Sequence, residues 1–436
     1  MDFQKLIDKA LAAGFEDVEI VSSSSQEVEI SLQNGVVEKN FNGASSSVTV
    51  KAIKNSKMTI FNLEDDNADV DQIVAKMIEN AAVLTTDEEF SIFAGSKEYP
   101  TLEKVESDFG KKTAAEKIEL LTSMYEKAKG YDPRLVAFPY CSYVEETNKR
   151  EVLNSKGLHL VREGQYGGAF LMAIALNEGK TTDGMGISIE QTFAEINKDE
   201  IVKKACEKAI SMIGAEPVES GSYDVIIENE AMTSLIGGFA SMFSGEAAIK
   251  KLTSLVGKEN EKIMSEKVTI VDDPLRAKAI SSRTFDDEGV ATYTKEVVSN
   301  GVFKTFLHNL KTAKFFNTES TGNAVGSSVG GINFYVKEGT TSKEDMIKGM
   351  KKGLLITDLA GLHASLNPVS GDFSAQASGY YIEDGKIVKP TTLIVVSSNF
   401  LKMMNEIDTI GSDLHLSYGG YGAPSILFKG LAISGK

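Results

Sequence analysis

The stretch that decides the fold runs Val28-Glu29-Ile30-Ser31-Leu32-Gln33-Asn34-Gly35-Val36-Val37-Glu38-Lys39-Asn40-Phe41. Apolar and polar residues alternate before the Asn-Gly pair, which is the period of a half-buried strand, and a second strand-like run follows. Both turn residues tolerate the positive φ that a two-residue hairpin requires. The stretch therefore predicts an antiparallel hairpin, and with it a sheet whose neighbouring strands follow one another in the chain.

The segments around this hairpin predict a layered arrangement of helices and antiparallel strands. Thr113 and Glu116 form a capping box, which marks the start of one helix. Residues 88–109 are polar and irregular, as in a connector. The predicted elements are a helix over 3–13, strands over 47–53 and 58–61, a helix over 69–84, a helix over 113–130, strands over 150–177 and a helix over 198–213.

A change of amino-acid composition near residue 214 predicts a domain boundary. Gly, Pro, Ser and charged residues gather there between two periodic segments. We expect an N-terminal α+β domain over 1–214 (subregions about 1–85 and 110–214), a linker over 215–222 and a C-terminal β-rich domain over 223–436.

The C-terminal half combines a few helical stretches with many strands. Asn-Gly at 300–301 and Asp-Gly at 384–385 predict hairpin turns. Helices are predicted over 230–243, 247–256, 342–352 and 399–407. The predicted class is α+β: an N-terminal layer of helices and antiparallel meanders, then a C-terminal domain with an extensive, mostly antiparallel sheet and a barrel-like core.

Composition narrows the classes of function. The net charge is −16, and an acidic surface repels phosphate backbones, so direct nucleic-acid binding is not expected. The most apolar stretch, residues 169–176, is about one strand long and is too short to span a membrane. With Cys141 and Cys206 as the two cysteines, a disulfide framework is excluded, and we expect a cytoplasmic protein.

Four histidines limit any histidine-based site, and they lie far apart in the sequence. No two of them have the helical spacing of a zinc-binding pair. His363 and His415 lie in loop-like, Gly-rich segments and are the better functional candidates, although a structural role is the more common one for a single histidine.

Two short motifs each allow a chemical and a structural interpretation. Residues 326–330 match Gly-x-Ser-x-Gly around Ser328, but the motif needs a strand-to-helix elbow, and here a strand-like run follows. Asp286, Asp287 and Glu288 could hold a divalent cation, or could form an Asp-rich turn that caps its own amides. Further polar loops contain Thr321, Asn323 and Asp372 and could line a cleft.

Taken together, several motifs resemble the TldD/PmbA family, which is often labelled "modulator of DNA gyrase" and classed among metallopeptidases. The motifs occur in the family's order, and the resemblance covers essentially the whole chain. They are Phe285-Asp286-Asp287-Glu288-Gly289-Val290, Ser320-Thr321-Gly322-Asn323, Ser370-Gly371-Asp372-Phe373-Ser374, Tyr381-Ile382-Glu383-Asp384-Gly385-Lys386, Ile410-Gly411-Ser412-Asp413-Leu414 and Gly422-Ala423-Pro424-Ser425.

The resemblance implies two branches. TldD-type subunits carry a zinc-binding His-Glu-x-x-x-His helix after the linker and a Cys near the C-terminus, whereas PmbA-type (TldE) subunits lack these ligands and pair with a TldD subunit. Tyr418 to Gly422 stand where the Cys-containing loop is expected. The helix motif window reads Gly237, Gly238, Phe239, Ala240, Ser241 and Met242.

The expected function is therefore that of a PmbA/TldE-like subunit, without catalytic residues, metal or cofactor of its own. The resemblance implies a heterodimer with a zinc-bearing TldD-type subunit, or a homodimer, acting on unfolded or extended peptides. The peptide-cleft candidates are Asp286, Asp287, Glu288, Thr321, Asn323, Ser328, His363, Asp372 and His415. The alternatives are an autonomous peptide hydrolase with a different site and a binding protein that modulates inhibitors of DNA gyrase.

Overall fold

The computed structural model describes residues 1–63, 69–82 and 91–436. Several predicted boundaries lie outside these described residues. They are the last two residues of the helix predicted over 69–84, the end of the subregion 1–85 and the first residues of the connector predicted over 88–109.

The N-terminal half consists of long antiparallel strands with helices on one face. Short 3-10 turns lie at Phe109–Lys111 and Phe193–Glu195. The elements are α1 (Phe3–Ala12), β1 (Asp17–Gln33), β2 (Val36–Lys54), β3 (Lys57–Leu63), α2 (Val70–Ala82), α3 (Ala114–Lys129), β4 (Leu135–Asn154), β5 (His159–Asn177), β6 (Lys180–Glu190) and α4 (Lys198–Ser211).

The predicted hairpin is confirmed as the turn between β1 and β2. Asn34 and Gly35 have φ of 53° and 78°, and Gln33 pairs with Val36. The strands form one six-stranded sheet in the order β3-β2-β1-β4-β5-β6. Because β1 pairs with β2 on one side and with β4 on the other, both predicted meanders belong to a single sheet.

The two faces of this sheet have different neighbours. On one face, Ile20 packs in a core with α1 and α2, and Ile30 packs in a second core with α3 and α4. On the opposite face, Val21 and Val152 pack against Phe285 of the C-terminal half. The sheet therefore separates its own helices from the C-terminal domain.

The C-terminal half contains more and shorter elements. Ser or Asn side chains cap the N-termini of several of its helices. The elements are β7 (Gly221–Ile227), α5 (Asn229–Phe239, continued by a 3-10 turn at Ala240–Phe243), α6 (Gly245–Ile249), β8 (Ile270–Asp272), β9 (Lys295–Ser299), β10 (Val302–Phe303), α7 (Leu310–Phe316), β11 (Ala324–Val325), β12 (Ser328–Val329), β13 (Phe334–Val336), α8 (Lys343–Gly349), β14 (Lys352–Ala360), α9 (Leu362–Ser365), β15 (Asp372–Glu383), β16 (Lys386–Asn399), α10 (Phe400–Asn405), β17 (Ile407–Ile410), β18 (His415–Leu416), β19 (Tyr421–Ala423) and β20 (Ile426–Ser434).

Two six-stranded sheets build this domain. One has the order β16-β15-β14-β7-β20-β17, and an additional β16–β20 pairing closes five of its strands into a barrel-like core. The other has the order β10-β9-β8-β13-β19-β18. Most pairings are antiparallel, with parallel pairs at β7–β14 and β13–β19. The predicted α+β class is therefore confirmed, including the barrel-like core.

One predicted helix in this half is wrong in extent. The helix expected over 247–256 is only α6, because Lys251 adopts a φ of 56° and ends it. Among the described residues, no helix is both long enough and apolar enough to cross a membrane.

Candidate functional site

Helix α5 lies between the two C-terminal sheets, and it carries the motif window at its end. It contacts β19 of one sheet and β14 of the other. The Phe239 ring stacks on Phe400 at 4.5 Å between centroids, and Met242 is fully buried. Packing on both sides therefore fixes the axis and rotation of the helix.

Thr233 ties α5 to the last two strands of the neighbouring sheet. Its hydroxyl accepts a hydrogen bond from the amide of Ala423 (3.0 Å) and donates one to the carbonyl of His415 (3.2 Å). The side chain therefore bridges β18 and β19. This bridge fixes the position of the 418–422 loop, which connects the two strands, relative to the helix.

The helix face that bears Gly237 and Gly238 is covered by two apolar side chains. A Cβ at Gly237 would lie 3.3 Å from Cδ2 of Tyr421, and one at Gly238 would lie 2.2 Å from Cδ1 of Leu366. The structure therefore brings the motif window and the 418–422 loop together, and it does so with glycine, tyrosine and leucine at the contact.

These residues do not fit a zinc ion. Glycine has no ligand side chain, and burial raises the pKa of the Tyr421 phenol, with a further contribution from nearby Asp272. In the part of the chain that the structure describes, no group of three His, Cys, Asp or Glu side chains is placed to hold a metal ion. The donor atoms at this helix therefore support no step that runs through a metal.

A buried polar network joins β8, β9 and the 320–323 loop. Asp272 accepts hydrogen bonds from Lys295 (2.8 Å) and from the amide nitrogen of Asn323 (2.8 Å). The Asn323 carbonyl accepts from Lys295 (3.1 Å) and from Thr321 (2.8 Å). Asp272 and Asn323 are fully buried. The predicted candidates Thr321 and Asn323 thus belong to an interior network and do not reach a surface.

Each carboxylate of the acidic turn at 286–288 accepts hydrogen bonds from protein donors. Asp286 is fully buried and accepts from the amides of Glu288, Val290 and Ala324 at 2.9–3.0 Å. Glu288 accepts from the amide of Leu310 at the start of α7 (2.8 Å). Burial raises the pKa of both carboxyls. These contacts are those of an Asp-rich turn that caps backbone amides.

Asp287 connects this turn to the N-terminal sheet through arginines. Its Oδ1 lies 3.0 Å from Nη2 of Arg162, 3.3 Å from Nε of Arg150 and 3.9 Å from Nη1 of Arg283. Burial opposes ionisation of Asp287, but Arg150, the amide of Gly326 and the other two arginines together outweigh it, so the pKa of Asp287 is lowered. Burial lowers the pKa of Arg283 to about 10.

The four remaining candidates lie on four different elements, and three of them are exposed. Ser328 is exposed in the β11–β12 hairpin and not on a strand-to-helix elbow. His363 is exposed on α9, and Asp372 is exposed at the start of β15, where it accepts from Asn399. His415 is half-buried on β18, and burial lowers its pKa. Two of the nine candidates, Thr321 and Asn323, share the network described above, whereas Ser328, His363 and His415 lie on three different elements, β12, α9 and β18.

Several residues that hold this site together are not indicated by local sequence patterns. Arg150 and Arg162 each lie in a strand of alternating polar and apolar residues, at a position where a solvent-exposed side chain is expected. Only the pairing of β4 with β5 brings them side by side. Lys295 precedes a short apolar run and becomes interior only when β9 pairs with β8. Thr233 is a single polar residue on an apolar helix face. This isolated polar position is the one sequence signal that could have indicated its role.

Comparison with known proteins places this architecture in a class of metallopeptidases. Three consecutive family models match, described as PmbA/TldA metallopeptidase domain 1 (residues 18–81), central domain (107–213) and C-terminal domain (220–435). Together they cover most of the chain. The chain belongs to the PmbA/TldD metallopeptidase family.

Individual relatives agree with this assignment. A metalloprotease PmbA homolog of Buchnera aphidicola subsp. Acyrthosiphon pisum is 30% identical over 265 residues, which span 60% of this chain and 58% of that relative. A metalloprotease of Methanothermobacter thermautotrophicus is 26% identical over 452 residues, spanning 96% of each.

Solved structures have the same fold. A crystal structure described as a candidate modulator of a DNA gyrase from Thermotoga maritima superposes with a TM-score of 0.93 at 33% identity, covering 99% of both chains. The crystal structure of TldE from Thermococcus kodakarensis gives a TM-score of 0.89 at 24% identity, covering 99% of this chain and all of that one. At that identity the second likeness concerns the fold alone.

Proposed function

We propose that this chain is a PmbA/TldE-like subunit of a peptidase complex, without catalytic residues of its own, that helps to hold an unfolded or extended peptide. A TldD-type subunit would pair with it and supply the zinc ion and the general base. The net charge of −16 supports a role without direct nucleic-acid contact. The proposal includes no cofactor bound by this chain and no membrane association.

One observation carries the proposal. The two segments from which the family resemblance expects zinc ligands do meet in this chain, at Gly237 and Tyr421, but neither residue offers a metal ligand of the expected kind. Leu366 fills the neighbouring position over Gly238. An intact fold with an apolar contact at the place of the ligands supports a structural subunit rather than an independent enzyme.

The edge of β18 is the best candidate to bind the peptide. It is the terminal strand of its sheet and lies beside α5, and no strand pairs with its outer edge in the described ranges. Ser417 donates its amide inward to the carbonyl of Tyr421 (2.8 Å). Because amides alternate along an antiparallel strand, the amide of Leu416 points outward and could bond an added strand.

The test is to mix the purified chain with a TldD-type subunit and an unfolded peptide. We expect co-elution of the two proteins and peptide cleavage that requires both. Leu416→Pro removes the outward donor and should weaken peptide binding by the complex, whereas Leu416→Ala keeps the donor and should not. If the TldD-type subunit is fully active alone and does not co-elute with this chain, the proposal fails.

A further inference from the structure

Arg283 leaves most of its hydrogen-bonding capacity unused. Its Nε donates to the carbonyl of Ser281 (3.1 Å), and its Nη1 lies 3.9 Å from Asp287, which is too far for a hydrogen bond. Within the described ranges, no protein group accepts a hydrogen bond from Nη1 or Nη2. Neither of them is a buried atom without a partner, so both reach the solvent. We call these two terminal amino groups the free fork of Arg283.

The residue that carries the free fork is held firmly in place. The amide of Arg283 donates to the carbonyl of Pro274 (2.8 Å), and its own carbonyl accepts from the hydroxyl of Thr292 (2.6 Å). The bond from Nε to Ser281 fixes the plane of the guanidinium, and the side chain is only 17% exposed. A donor group that is already ordered loses little conformational entropy when a ligand binds to it.

The charges around the free fork favour an anion. Burial, and then repulsion from Arg162 and Arg150, lower the pKa of Arg283 to about 10. Asp287 and Asp286 are the carboxylates that act on it, so three arginines face two carboxylates. The oxygens of Asp286 already accept from backbone amides, and Asp287 is shared by all three arginines. A further carboxylate would therefore balance the excess positive charge.

The free fork lies beside the loop that follows the candidate peptide strand. Ser281, whose carbonyl holds Nε of Arg283, also donates its hydroxyl to the carbonyl of Tyr418 (3.3 Å). Tyr418 is two residues after Leu416 of β18, and its side chain is 61% exposed. An extended peptide advances about 3.3 Å per residue, so roughly six residues are enough to pass from Leu416 to the free fork.

We propose that the free fork of Arg283 binds a carboxylate of an extended peptide, either its C-terminus or an acidic side chain. A guanidinium pairs with a carboxylate through two parallel hydrogen bonds, which matches two adjacent donors that are both free. The net charge of −16 repels an acidic peptide over most of the surface, so this group would select where a carboxylate lies. The proposal rests on the proposed function and adds the chemical group that is recognised.

A small carboxylate tests the free fork without a peptide or a TldD-type subunit. The purified full chain, isotopically labelled at arginine, is titrated with N-acetylglycine and separately with N-acetylglycinamide. The Nε–H resonance of Arg283, assigned by its absence in Arg283→Gln, should shift to saturation with the carboxylate and should not shift with the amide. The guanidinium of Arg134 already pairs with Asp132, so its resonance should shift with neither. If the Arg283 resonance does not respond to N-acetylglycine, the proposal is overturned.

A series of peptides identifies the source of the carboxylate. The complex with a TldD-type subunit is given three versions of one unfolded peptide: the parent, the same peptide with a C-terminal amide, and the same peptide with its glutamates changed to glutamines. Removing the recognised carboxylate should weaken binding about tenfold. In Arg283→Gln the three versions should bind equally, and Arg283→Lys, which keeps the charge but not the fork, should restore only part of the difference. Arg134→Gln is the control and should keep the full difference.

The outcomes separate this proposal from the proposed function. If all three peptides bind the parent complex equally, the proposal is overturned and the proposed function stands. If no version binds, both fail, and a response to N-acetylglycine would then indicate a site for a free carboxylate. The comparison of peptides on the parent complex needs no variant, so a folding defect in Arg283→Gln would not prevent a decision.

Discussion

The guanidinium of Arg162 and the carboxylate of Asp287 join the two halves of the chain, with Nη2 lying 3.0 Å from Oδ1. Arg162 also donates to the carbonyl of Phe285 (3.1 Å). The second oxygen of Asp287 accepts from the amide of Gly326 (2.7 Å), in the tip of the β11–β12 hairpin. One carboxylate thus holds both the N-terminal sheet and a loop of the C-terminal domain.

Asp287→Asn should destabilise the protein by about 3 kcal/mol at neutral pH, because it leaves Arg150 and Arg162 without their shared counter-charge. The two domains should also lose part of their mutual stabilisation. Thermal unfolding followed by calorimetry measures the effect. Asp345→Asn, at an exposed carboxylate of α8, is the control and should change the midpoint little.

The same variant has a defined pH dependence. The pKa of Asp287 is lowered in the folded chain, so its ionised form contributes stability above the ordinary Asp pKa of 3.8. That contribution is lost as the pH falls through the lowered pKa. The difference between Asp287→Asn and the parent should therefore be full at neutral pH and should vanish in acid. A difference that stays constant from neutral pH to the acid limit would contradict this account.

Lys295→Met should be among the most damaging single substitutions in the C-terminal domain. The change leaves the fully buried Asp272 without its cation, and breaking a buried pair in this way costs about 3–5 kcal/mol. Chemical denaturation of both proteins measures the loss. Lys278→Met removes an ion pair whose lysine side chain is 79% exposed, and it should cost less than about 1 kcal/mol. Equal losses would show that burial of the Lys295 pair is not what matters.

The contact between Gly238 and Leu366 predicts a rescue. Gly238→Val should destabilise the protein by about 1–3 kcal/mol, because its side chain must displace Leu366 from the helix face. Combining it with Leu366→Ala should cost less than the two single changes together, as measured in a double-mutant cycle. Gly349→Ala, where nothing lies within 4 Å of the added Cβ, serves as the control. Strict additivity would mean that the two residues do not compete for the same space.

If this chain holds no metal of its own, the purified protein should contain no stoichiometric zinc. Elemental analysis measures this directly, and the midpoint of thermal unfolding should not change when a chelator is added. The physical reason is the glycine, tyrosine and leucine contact at the end of α5. One zinc ion per chain, lost together with stability on chelation, would contradict the proposed function.

Local signals in the sequence were enough to predict much of the fold. The Asn34-Gly35 turn and the Thr113–Glu116 capping box both form as expected, since each depends on residues a few positions apart. The roles of Arg162 and Lys295 could not be predicted in this way. Each is decided by strand pairings between distant segments, which bring it to a carboxylate far away in the sequence.

The role of the acidic turn at 286–288 also could not be decided from the sequence alone. Three adjacent carboxylates fit both a cation site and a backbone cap, and the residue types alone do not separate the two. The amide of Ala324, which bonds to Asp286, lies 38 positions away. The amides of Glu288 and Val290 bond to one oxygen of Asp286 from within the turn, and the distant amide of Ala324 takes the other oxygen, which local sequence does not predict.

Thr233→Val tests whether the hydroxyl of Thr233 positions the 418–422 loop. Valine keeps the shape of threonine but leaves the amide of Ala423 and the carbonyl of His415 without their bridge. Loss of buried hydrogen bonds of this kind costs about 1–3 kcal/mol. Amide hydrogen exchange at Ala423 should become faster, while exchange in the N-terminal sheet should not change. Thr233→Ser retains the hydroxyl and should restore slow exchange at Ala423. If Ala423 exchanges equally slowly in all three proteins, the strand pairing alone holds the loop, and the helix does not contribute through Thr233.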